Sequence, residues 1–285
     1  MRLFIPALLA LTAAPAFAQD VTNPVAAPPI ETPDTGADRI TIAAGVATVP
    51  RYEGADSNQF IPAAAVIGRV SGFDFFTRGT QLYVDIARDQ PGPGLNTELG
   101  PIIGARFDRT NRVDNDQVAA LGKIDTAWEV GGFFGVSQTG VITSDFDVLT
   151  ARVAYLHDVS GTHGSYVITP QLNYSTPLST RTLVSLGASA DYVGKGYGRT
   201  YFSITPAQSA ASGLPAYDAA DSGWKRLNVQ FFAVQSLSGD LRRGFAVGAG
   251  VLYGRLFGRY KDSPIVSDVG DADQWTAAAG LTYTF

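Results

Sequence analysis

Apolar and polar positions alternate with a period of two along the last twelve residues of the chain, from Gln274 to Phe285. Trp275 and Leu281 belong to an apolar face, whereas the other face carries Thr, Gln, Ala and Gly, and no charge follows Asp273. A period of two is that of a β-strand. One face suits lipid and the other a small, wet interior. Because an exposed apolar edge invites aggregation and closure removes the edge, the segment predicts the closing strand of a transmembrane barrel.

The same alternation recurs upstream, for example in Arg181–Tyr192 and Leu241–Tyr253, where bulky apolar residues alternate with small or polar ones. Gly, Pro, Asn or Asp bound each such segment, as expected at strand ends. The predicted fold class is all-β, an antiparallel transmembrane β-barrel of about 12 strands. The predicted strands are Arg39–Val49, Asn58–Val70, Gly72–Thr77, Thr80–Ala87, Asn96–Arg109, Ile124–Gln138, Val141–Asp158, Ser165–Pro177, Arg181–Val193, Arg226–Ser238, Leu241–Leu256 and Gln274–Phe285.

Connection lengths support a barrel. Very short turns, such as Ser71-Gly72 and Thr139-Gly140, alternate with long loops, such as Gly194–Lys225 and Gly258–Asp273. Outer-membrane barrels have short periplasmic turns and longer outer loops. The segment Arg88–Leu95 is an exception, because it is long and falls on the turn side. The alternation predicts an even number of strands.

The N-terminus predicts export. Arg2 precedes the apolar stretch Leu3–Ala14, and Ala16-Phe17-Ala18 has the form of a cleavage site, so cleavage is expected between Ala18 and Gln19. The apolar stretch is shorter than the about 20 residues that span a bilayer. Residues 19–38 are rich in Pro, Ala, Thr and acid and show no periodicity, which is typical of a disordered arm. We therefore expect a signal peptide at 1–18, a disordered periplasmic arm at 19–38 and an outer-membrane barrel at 39–285.

Composition excludes other classes. A hydrophobic content of 45% and a mean hydropathy of +0.07 fit neither a disordered chain nor a helical membrane protein. The formal net charge of −5 argues against nucleic acid as a partner. Cysteine is absent, and a barrel held by interstrand hydrogen bonds does not need disulfides.

Candidate catalytic groups are few. Two histidines, His157 and His163, lie near an outer loop, with Asp158, Ser160 and Ser165 close in sequence. A hydrolase at the barrel rim could use such groups, but no Gly-x-Ser-x-Gly motif is present, so this is the weakest functional alternative. The histidines lack a third soft metal ligand. The sequence predicts no catalytic residue, no cofactor and no metal site.

The long segment Gly194–Lys225 is too apolar for a freely solvated loop. Its bulky residues are expected to pack on each other or fold inward as a lid; the alternative is a constriction or a ligand-contacting plug. The residues concerned are Tyr201, Phe202, Leu214 and Tyr217. The glycine-rich start, Gly194–Arg199, only superficially resembles a phosphate-binding loop, because no following helix is predicted.

Charged residues predicted in the lumen carry both signs. Mixed signs favour paired charges across a narrow interior over an ion filter of one sign. A barrel of this size lies between small, side-chain-filled barrels and open porins. The residues are Glu98, Arg106, Asp108, Glu129, Arg152 and Asp191.

Three segments resemble motifs of the MipA/OmpV family, the MltA-interacting outer-membrane proteins. Val49–Asp56 is similar to the family's early Y-E-G-[SA]-D motif, and Tyr201–Tyr217 to its Y-F-G-V-[ST] segment followed by S-G-L-P-x-Y. Lys261–Val266, together with the terminal Gly-Leu-Thr-Tyr-Thr-Phe, is the third. Order and spacing fit across essentially the whole mature chain. Ser203 departs from the pattern, because a Gly is usual there.

The resemblance implies a non-catalytic scaffold that links a murein-degrading lytic transglycosylase and a murein-synthesising penicillin-binding protein to the outer membrane. The alternative is a narrow porin-like channel for small solutes. Other expected partners are outer-membrane lipid, lipopolysaccharide and the barrel-assembly machinery, which would read the C-terminal signal Tyr283 and Phe285. If murein enzymes dock, we expect them to contact the arm Gln19–Asp38 and the turn Arg88–Leu95.

Overall fold

The structure, a computed structural model, describes residues 38–87, 94–111 and 113–285. In this part of the chain, twelve antiparallel strands form one closed barrel in which each strand pairs with its neighbours in sequence and β1 pairs with β12. The predicted fold class is confirmed. The strands are β1 (Arg39–Pro50), β2 (Asn58–Val70), β3 (Phe73–Arg78), β4 (Gln81–Asp85), β5 (Leu95–Arg106), β6 (Ala127–Thr139), β7 (Val148–Asp158), β8 (Tyr166–Pro177), β9 (Thr182–Val193), β10 (Gly223–Ser236), β11 (Gly244–Leu256) and β12 (Asp273–Thr284).

The terminal strand closes the barrel as the alternation predicts. β12 pairs with β1 from Thr284 opposite Thr41 to Ala277 opposite Thr48. Its apolar face points outward, with Trp275 58% exposed, and its Thr and Gln residues face the lumen. Gly45 lies opposite Gly280 in this pairing, and a Cβ on Gly45 would run into the carbonyl oxygen of Ala279. A close approach of two backbones therefore fixes glycine at this position.

The connections define two different ends. One end, here called the loop end, carries residues 51–57, 79–80, 107–126, 159–165, 194–222 and 257–272. The other, the turn end, carries the remaining connections. Every helix of the described residues lies at the loop end: α1 (Asp116–Ala119), α2 (Lys195–Phe202), α3 (Pro206–Ser212), α4 (Gly258–Lys261) and α5 (Pro264–Ser267). None of them is long and apolar enough to cross a membrane.

Several predicted strand boundaries differ from the structure by up to three residues, and the start of the seventh strand differs by seven. The apolar start of the segment predicted as Val141–Asp158 suggested a strand, but β7 begins at Val148. Residues 140–147 form a turn in which the carboxylate of Asp147 accepts hydrogen bonds from the backbone N–H groups of Val141 (2.6 Å) and Ile142 (2.9 Å). A side-chain acceptor within the turn thus competes with strand pairing.

The barrel wall is lower on one side. β3 and β4 have only 6 and 5 residues, against 13 in β2. Within the described residues, β3 pairs with Ile67–Val70 alone, so the part of β2 nearer the loop end has a strand neighbour on one side only. Pro62, which has no N–H to donate, lies in this part, as expected for a strand edge. The tip of the β3–β4 hairpin, Gly79-Thr80, lies next to the gap.

Candidate functional site at the mouth of the barrel

Two apolar clusters fill the loop end. The first joins residues of β8, β9, α2 and the last outer loop, and the second joins residues of four different connections. The first cluster contains Val167, Val193, Tyr197, Tyr201, Phe202, Ala219, Leu256, Tyr260 and Val266. The second contains Tyr52, Ala55, Val113, Val118, Leu121, Ile204, Leu214 and Ile265. The connections therefore pack as a small core of their own across the barrel mouth; we call this assembly the mouth plug.

The four bulky residues singled out in the sequence meet in the mouth plug. Tyr201 and Leu214 are each 2% exposed and Phe202 is 0% exposed. Tyr217 is partly buried, packs against both clusters and donates a hydrogen bond from its hydroxyl to the carbonyl of Arg259 (2.9 Å). Its backbone pairs with that of Ile204 (2.8 and 2.9 Å). Tyr201 and Phe202 belong to the first cluster and Leu214 to the second, and Tyr217 connects the two clusters.

The glycine-rich start of the loop is a helix, contrary to the prediction. Gly194 is the N-cap of α2. A Cβ on Gly196 would run into the carbonyl oxygen of His163, and a Cβ on Gly198 into that of Ala219. These glycines allow the helix to approach neighbouring backbone, so their spacing, which suggested a flexible loop, instead reflects close packing.

A buried ionic network lies beneath the apolar clusters. The carboxylate of Glu53 accepts hydrogen bonds from the hydroxyl of Tyr197 (2.7 Å) and from the Nζ of Lys225 (2.5 Å). The Tyr197 hydroxyl in turn accepts from Lys225 Nζ (3.1 Å) and from Arg106 (3.3 Å). Tyr197 thus joins the first outer loop, β5 and β10 through one hydroxyl group.

The network continues on the opposite wall. Arg106 donates two hydrogen bonds to the carboxylate of Glu129, each 3.0 Å long, in the bidentate geometry that makes such pairs strong. The Nε2 of His163 lies 3.2 Å from the same carboxylate. The rings of His163 and Tyr197 meet edge to face with centroids 5.4 Å apart. One connected set of side chains therefore crosses the lumen below the mouth plug.

The protonation of this network follows from its charges. Burial opposes ionisation of Glu53, but Lys225 and Arg226 outweigh it, so the pKa of Glu53 lies below its usual value. Burial raises the pKa of Tyr197 well above its usual value. At neutral pH Glu53 is therefore a carboxylate and Tyr197 a neutral hydroxyl that donates to it. Removing one member of a buried ion pair costs about 3–5 kcal/mol, because the other charge is left without its partner.

The first outer loop is tied to the last. The backbone N–H of Gly54 donates to Oε1 of Gln274 (3.1 Å), whose Nε2 donates to the carbonyl of Ala55 (2.9 Å). The Tyr52 hydroxyl donates to the carbonyl of Val269 (3.1 Å). Gly54 has a φ of +95°, which residues with a side chain rarely adopt. The Tyr-Glu-Gly motif thus supplies a core residue, the ionic centre and a required glycine.

The other two motif segments complete the same assembly. The hydroxyl of Ser263 donates to the carbonyl of Phe202 (2.7 Å), and Ile265 is buried. Ser203, the departure from the motif, accepts a hydrogen bond from the N–H of Ala219 (2.9 Å), so its hydroxyl stabilises the chain just after α2. The first two motif segments and the Lys261–Val266 part of the third meet in the mouth plug, whereas the terminal part of the third lies at the turn end.

The charges predicted in the lumen do pair, but the two closest pairs lie along one wall and not across the interior. Arg106 of β5 binds Glu129 of the adjacent β6, and Arg152 Nε of β7 donates to Glu98 of β5 (2.7 Å). Asp191 lies 3.7 Å from Lys225 and 3.5 Å from Arg226. Asp108 instead belongs to the loop end, where it accepts from the N–H of Glu53 (3.4 Å).

Sequence reasoning missed Glu53, Tyr197 and Lys225. Glu53 lies in a connection, and Tyr197 lies in a segment interpreted as a loop. Lys225 points inward because a bulge shifts the register between Trp224 and Arg226. Position alone did not reveal any of the three. The one available signal was the i, i+4 spacing of Tyr197 and Tyr201, which is that of a helix face.

The candidate hydrolase residues do not form a triad. His157 is exposed on the membrane-facing side of β7, opposite to the buried Asp158. The Ser160 hydroxyl donates directly to Asp158 (2.6 Å), and His163 contacts Glu129. Ser165 is buried. Within the described ranges, no three His, Cys, Asp or Glu side chains are grouped to hold a metal ion.

The remaining predicted positions lie at the turn end or outside the described residues. Tyr283 and Phe285 face outward, with ring centroids 4.8 Å apart, and their role as an assembly signal stays a prediction. Ala18 and Gln19 lie outside the described residues, as does the arm up to residue 37. So do residues 88–93 of the predicted contact turn.

The barrel is closed and antiparallel, its outer surface is apolar, its lumen contains buried ion pairs, and its long connections gather at one end. This is the architecture of an outer-membrane protein. In this outer-membrane barrel, the mouth plug also fills the loop end.

The family model of the MltA-interacting protein MipA matches residues 42–285 of this chain. The chain belongs to this family, and the resemblance drawn from its motifs is confirmed.

Solved barrels are similar only distantly. The outer-membrane channel DcaP of Acinetobacter baumannii is 10% identical with a TM-score of 0.40, over 88% of this chain and 99% of that chain. OmpT of Vibrio cholerae is 9% identical with a TM-score of 0.34, over 90% and 100%. OprG of Pseudomonas aeruginosa is 14% identical with a TM-score of 0.27, over 87% and 96%. No curated protein matches the chain.

Proposed function

We propose that this protein is a non-catalytic outer-membrane anchor that holds a murein-degrading lytic transglycosylase, and with it a murein-synthesising penicillin-binding protein, close to the membrane. The family's name describes an interaction with MltA, which supports the first partner. The observation that carries the proposal is the closed mouth: two apolar clusters and a buried ionic network fill the loop end. A barrel closed in this way is suited to serve as a membrane platform.

The closed mouth argues against a wide pore. A solute crossing the lumen would have to separate Glu53 from Lys225 and Arg106 from Glu129. Breaking buried pairs of this kind is strongly unfavourable. A narrow channel for small solutes is the second candidate, favoured by cavities that remain inside the barrel. In that case Tyr201 and Phe202 would act as its lid.

The turn end would face the periplasm and the murein enzymes. Its described connections run from 71–72, the shortest, to 140–147, the longest, and all of them are much shorter than the arm. We therefore assign the partner contact to the arm at residues 19–38 and to the turn at residues 88–95. The last residue of the arm, Asp38, already lies against the first turn, where its carboxylate accepts from the N–H of Ser71 (2.8 Å).

A pull-down with a purified lytic transglycosylase tests the anchor. Deletion of residues 20–37 should abolish capture of the enzyme, and replacement of residues 88–95 by a Gly/Ser linker should weaken it. Glu53→Gln, at the opposite end of the barrel, is the matched control and should leave capture unchanged. Capture retained by both turn-end variants would remove the assigned contacts, and no capture by the intact protein would contradict the anchor itself.

A further inference from the structure

A polar cavity lies in the lumen just below the ionic network. It has a volume of about 40 Å³. Its wall includes Arg78 at the end of β3, Thr169 and Gln171 of β8, Asp191 of β9 and Lys225 of β10. These strands come from opposite sides of the barrel, so the cavity occupies the middle of the lumen.

Arg78 is the least paired of the cations here. Arg106 is held by Glu129 and Lys225 by Glu53, whereas the guanidinium of Arg78 makes, within the described residues, one long hydrogen bond to the hydroxyl of Ser189 (3.4 Å). A guanidinium carries five N–H donors. Most of the donors of Arg78 are therefore available to the cavity.

The surrounding charges do not balance. Four cations, Arg78, Arg106, Lys225 and Arg226, face three carboxylates, Glu53, Glu129 and Asp191. The carboxylate of Asp191 is shared by two of the cations and also accepts from Thr169 (3.0 Å). This part of the described lumen therefore keeps one positive charge without a counter-charge.

Two more buried donors point to the same ligand chemistry. The Nε2 of Gln171, in the cavity wall, and the Nε of Arg226, beside Asp191 but outside that wall, are buried and have no protein partner among the described residues. Both atoms only donate hydrogen bonds. Surplus donors around a surplus positive charge fit a ligand that only accepts and is negatively charged. A planar carboxylate matches a guanidinium in the bidentate geometry.

A second, apolar cavity adjoins the first at Thr80. It has a volume of about 190 Å³ and is lined by small residues of β1, β2, β11 and β12, together with Ile61 and Phe232. It also reaches Pro62 and Ala64, on the membrane-facing side of β2, and Gly79 of the short hairpin. The apolar cavity therefore extends from the charged one to the low part of the barrel wall.

We propose that these two cavities form one binding site for an amphipathic carboxylate, an alkyl chain with a carboxylate head. The head lies against Arg78 and Gln171, and the alkyl chain lies in the apolar cavity along β1, β2 and β12. The mouth plug closes the loop end, so the ligand reaches the site from the turn end or past the gap beside β2. The site does not depend on the proposed anchoring function.

Calorimetric titration of sodium octanoate into the full-length barrel in lipid nanodiscs tests the head. Saturable binding is expected, and Arg78→Gln should weaken it about tenfold to a hundredfold, as expected for loss of charge-assisted hydrogen bonds. Arg242→Gln, which removes an exposed arginine at the turn end, is the matched control and should bind as the wild type does. The proposal would be overturned if Arg78→Gln bound octanoate as tightly as the wild type does, or if the wild type bound octyltrimethylammonium as tightly as octanoate.

The alkyl part has its own test. Acetate should bind at least about tenfold more weakly than octanoate, because it buries no chain, and Ala65→Leu, which fills the apolar cavity, should weaken octanoate but not acetate. Heat-modifiable migration on a gel checks that each variant forms the barrel. If Arg78→Gln does not fold, Gln171→Leu should still weaken octanoate. Unchanged affinity in that variant, or equal affinity for acetate and octanoate, would contradict the site.

Discussion

The two ends of the barrel are stabilised in different ways. At the turn end, two of the described connections hold their own carboxylates: Asp147 binds N–H groups within its own turn, and Asp240 binds Arg242 two residues away. At the loop end, partners are distant in sequence: Glu53 and Lys225 are 172 residues apart, and Gly54 and Gln274 are 220 apart. A change at the turn end should stay local, whereas a change at the loop end should affect the whole mouth plug.

The largest effect is expected from removing the charge of Glu53. Glu53→Gln leaves Lys225 buried without its carboxylate, which costs about 3–5 kcal/mol by analogy with other buried pairs. The strands should remain paired, so the loss should appear as faster proteolysis of residues 194–222 in protein that still shows heat-modifiable migration. Proteolysis at the wild-type rate would show that the ionic network does not hold the mouth plug.

A smaller effect is expected from Gly198→Ala. The added Cβ would meet the carbonyl oxygen of Ala219, and overpacking of this kind costs about 1–3 kcal/mol. Gly223→Ala is the matched control, because there the nearest atom, the Tyr260 hydroxyl, lies at 3.7 Å. Hydrogen exchange of α2 should be faster in the first variant only. Equal protection in both variants would contradict the close-packing role of Gly198.

Acid should loosen the loop end through Glu53. The pKa of Glu53 is lowered from 4.5 in the folded protein, so its contribution to stability is present above pH 4.5 and is lost as the pH falls through the lowered pKa. Backbone hydrogen exchange of residues 194–202 in the wild type should therefore become faster as the pH falls, relative to the exchange of the same residues in Glu53→Gln at the same pH. If the ratio of the exchange rates of the wild type and of Glu53→Gln did not change with pH, Glu53 would not be the group responsible.

The smallest effect is expected from Asp147→Asn. The amide keeps one oxygen acceptor but loses the charge that strengthens the hydrogen bonds from Val141 and Ile142. Exchange should rise at residues 140–147 and stay unchanged in α2. Faster exchange in α2 would show that the turn end is not locally stabilised.

The sequence predicted the barrel well because period-two alternation reports directly which face of a strand meets lipid. The closing pair of β12 with β1, for example, follows from the alternation in Gln274–Phe285. The mouth plug could be predicted only as apolar residues in a long loop. Its ionic centre depends on Glu53, Tyr197 and Lys225, which lie in different connections and a bulge. No local pattern encodes their meeting, because the barrel closure brings them together.

Closure of the mouth is the central claim, and single-channel conductance in planar bilayers tests it most directly. The wild-type barrel should show very low conductance, because the mouth plug occludes the lumen. Alanine at both Tyr201 and Phe202, which are buried in the plug, should raise the conductance in protein that still migrates as a folded barrel. Unchanged conductance in the double variant, or large open steps in the wild type, would contradict a mouth closed by these residues.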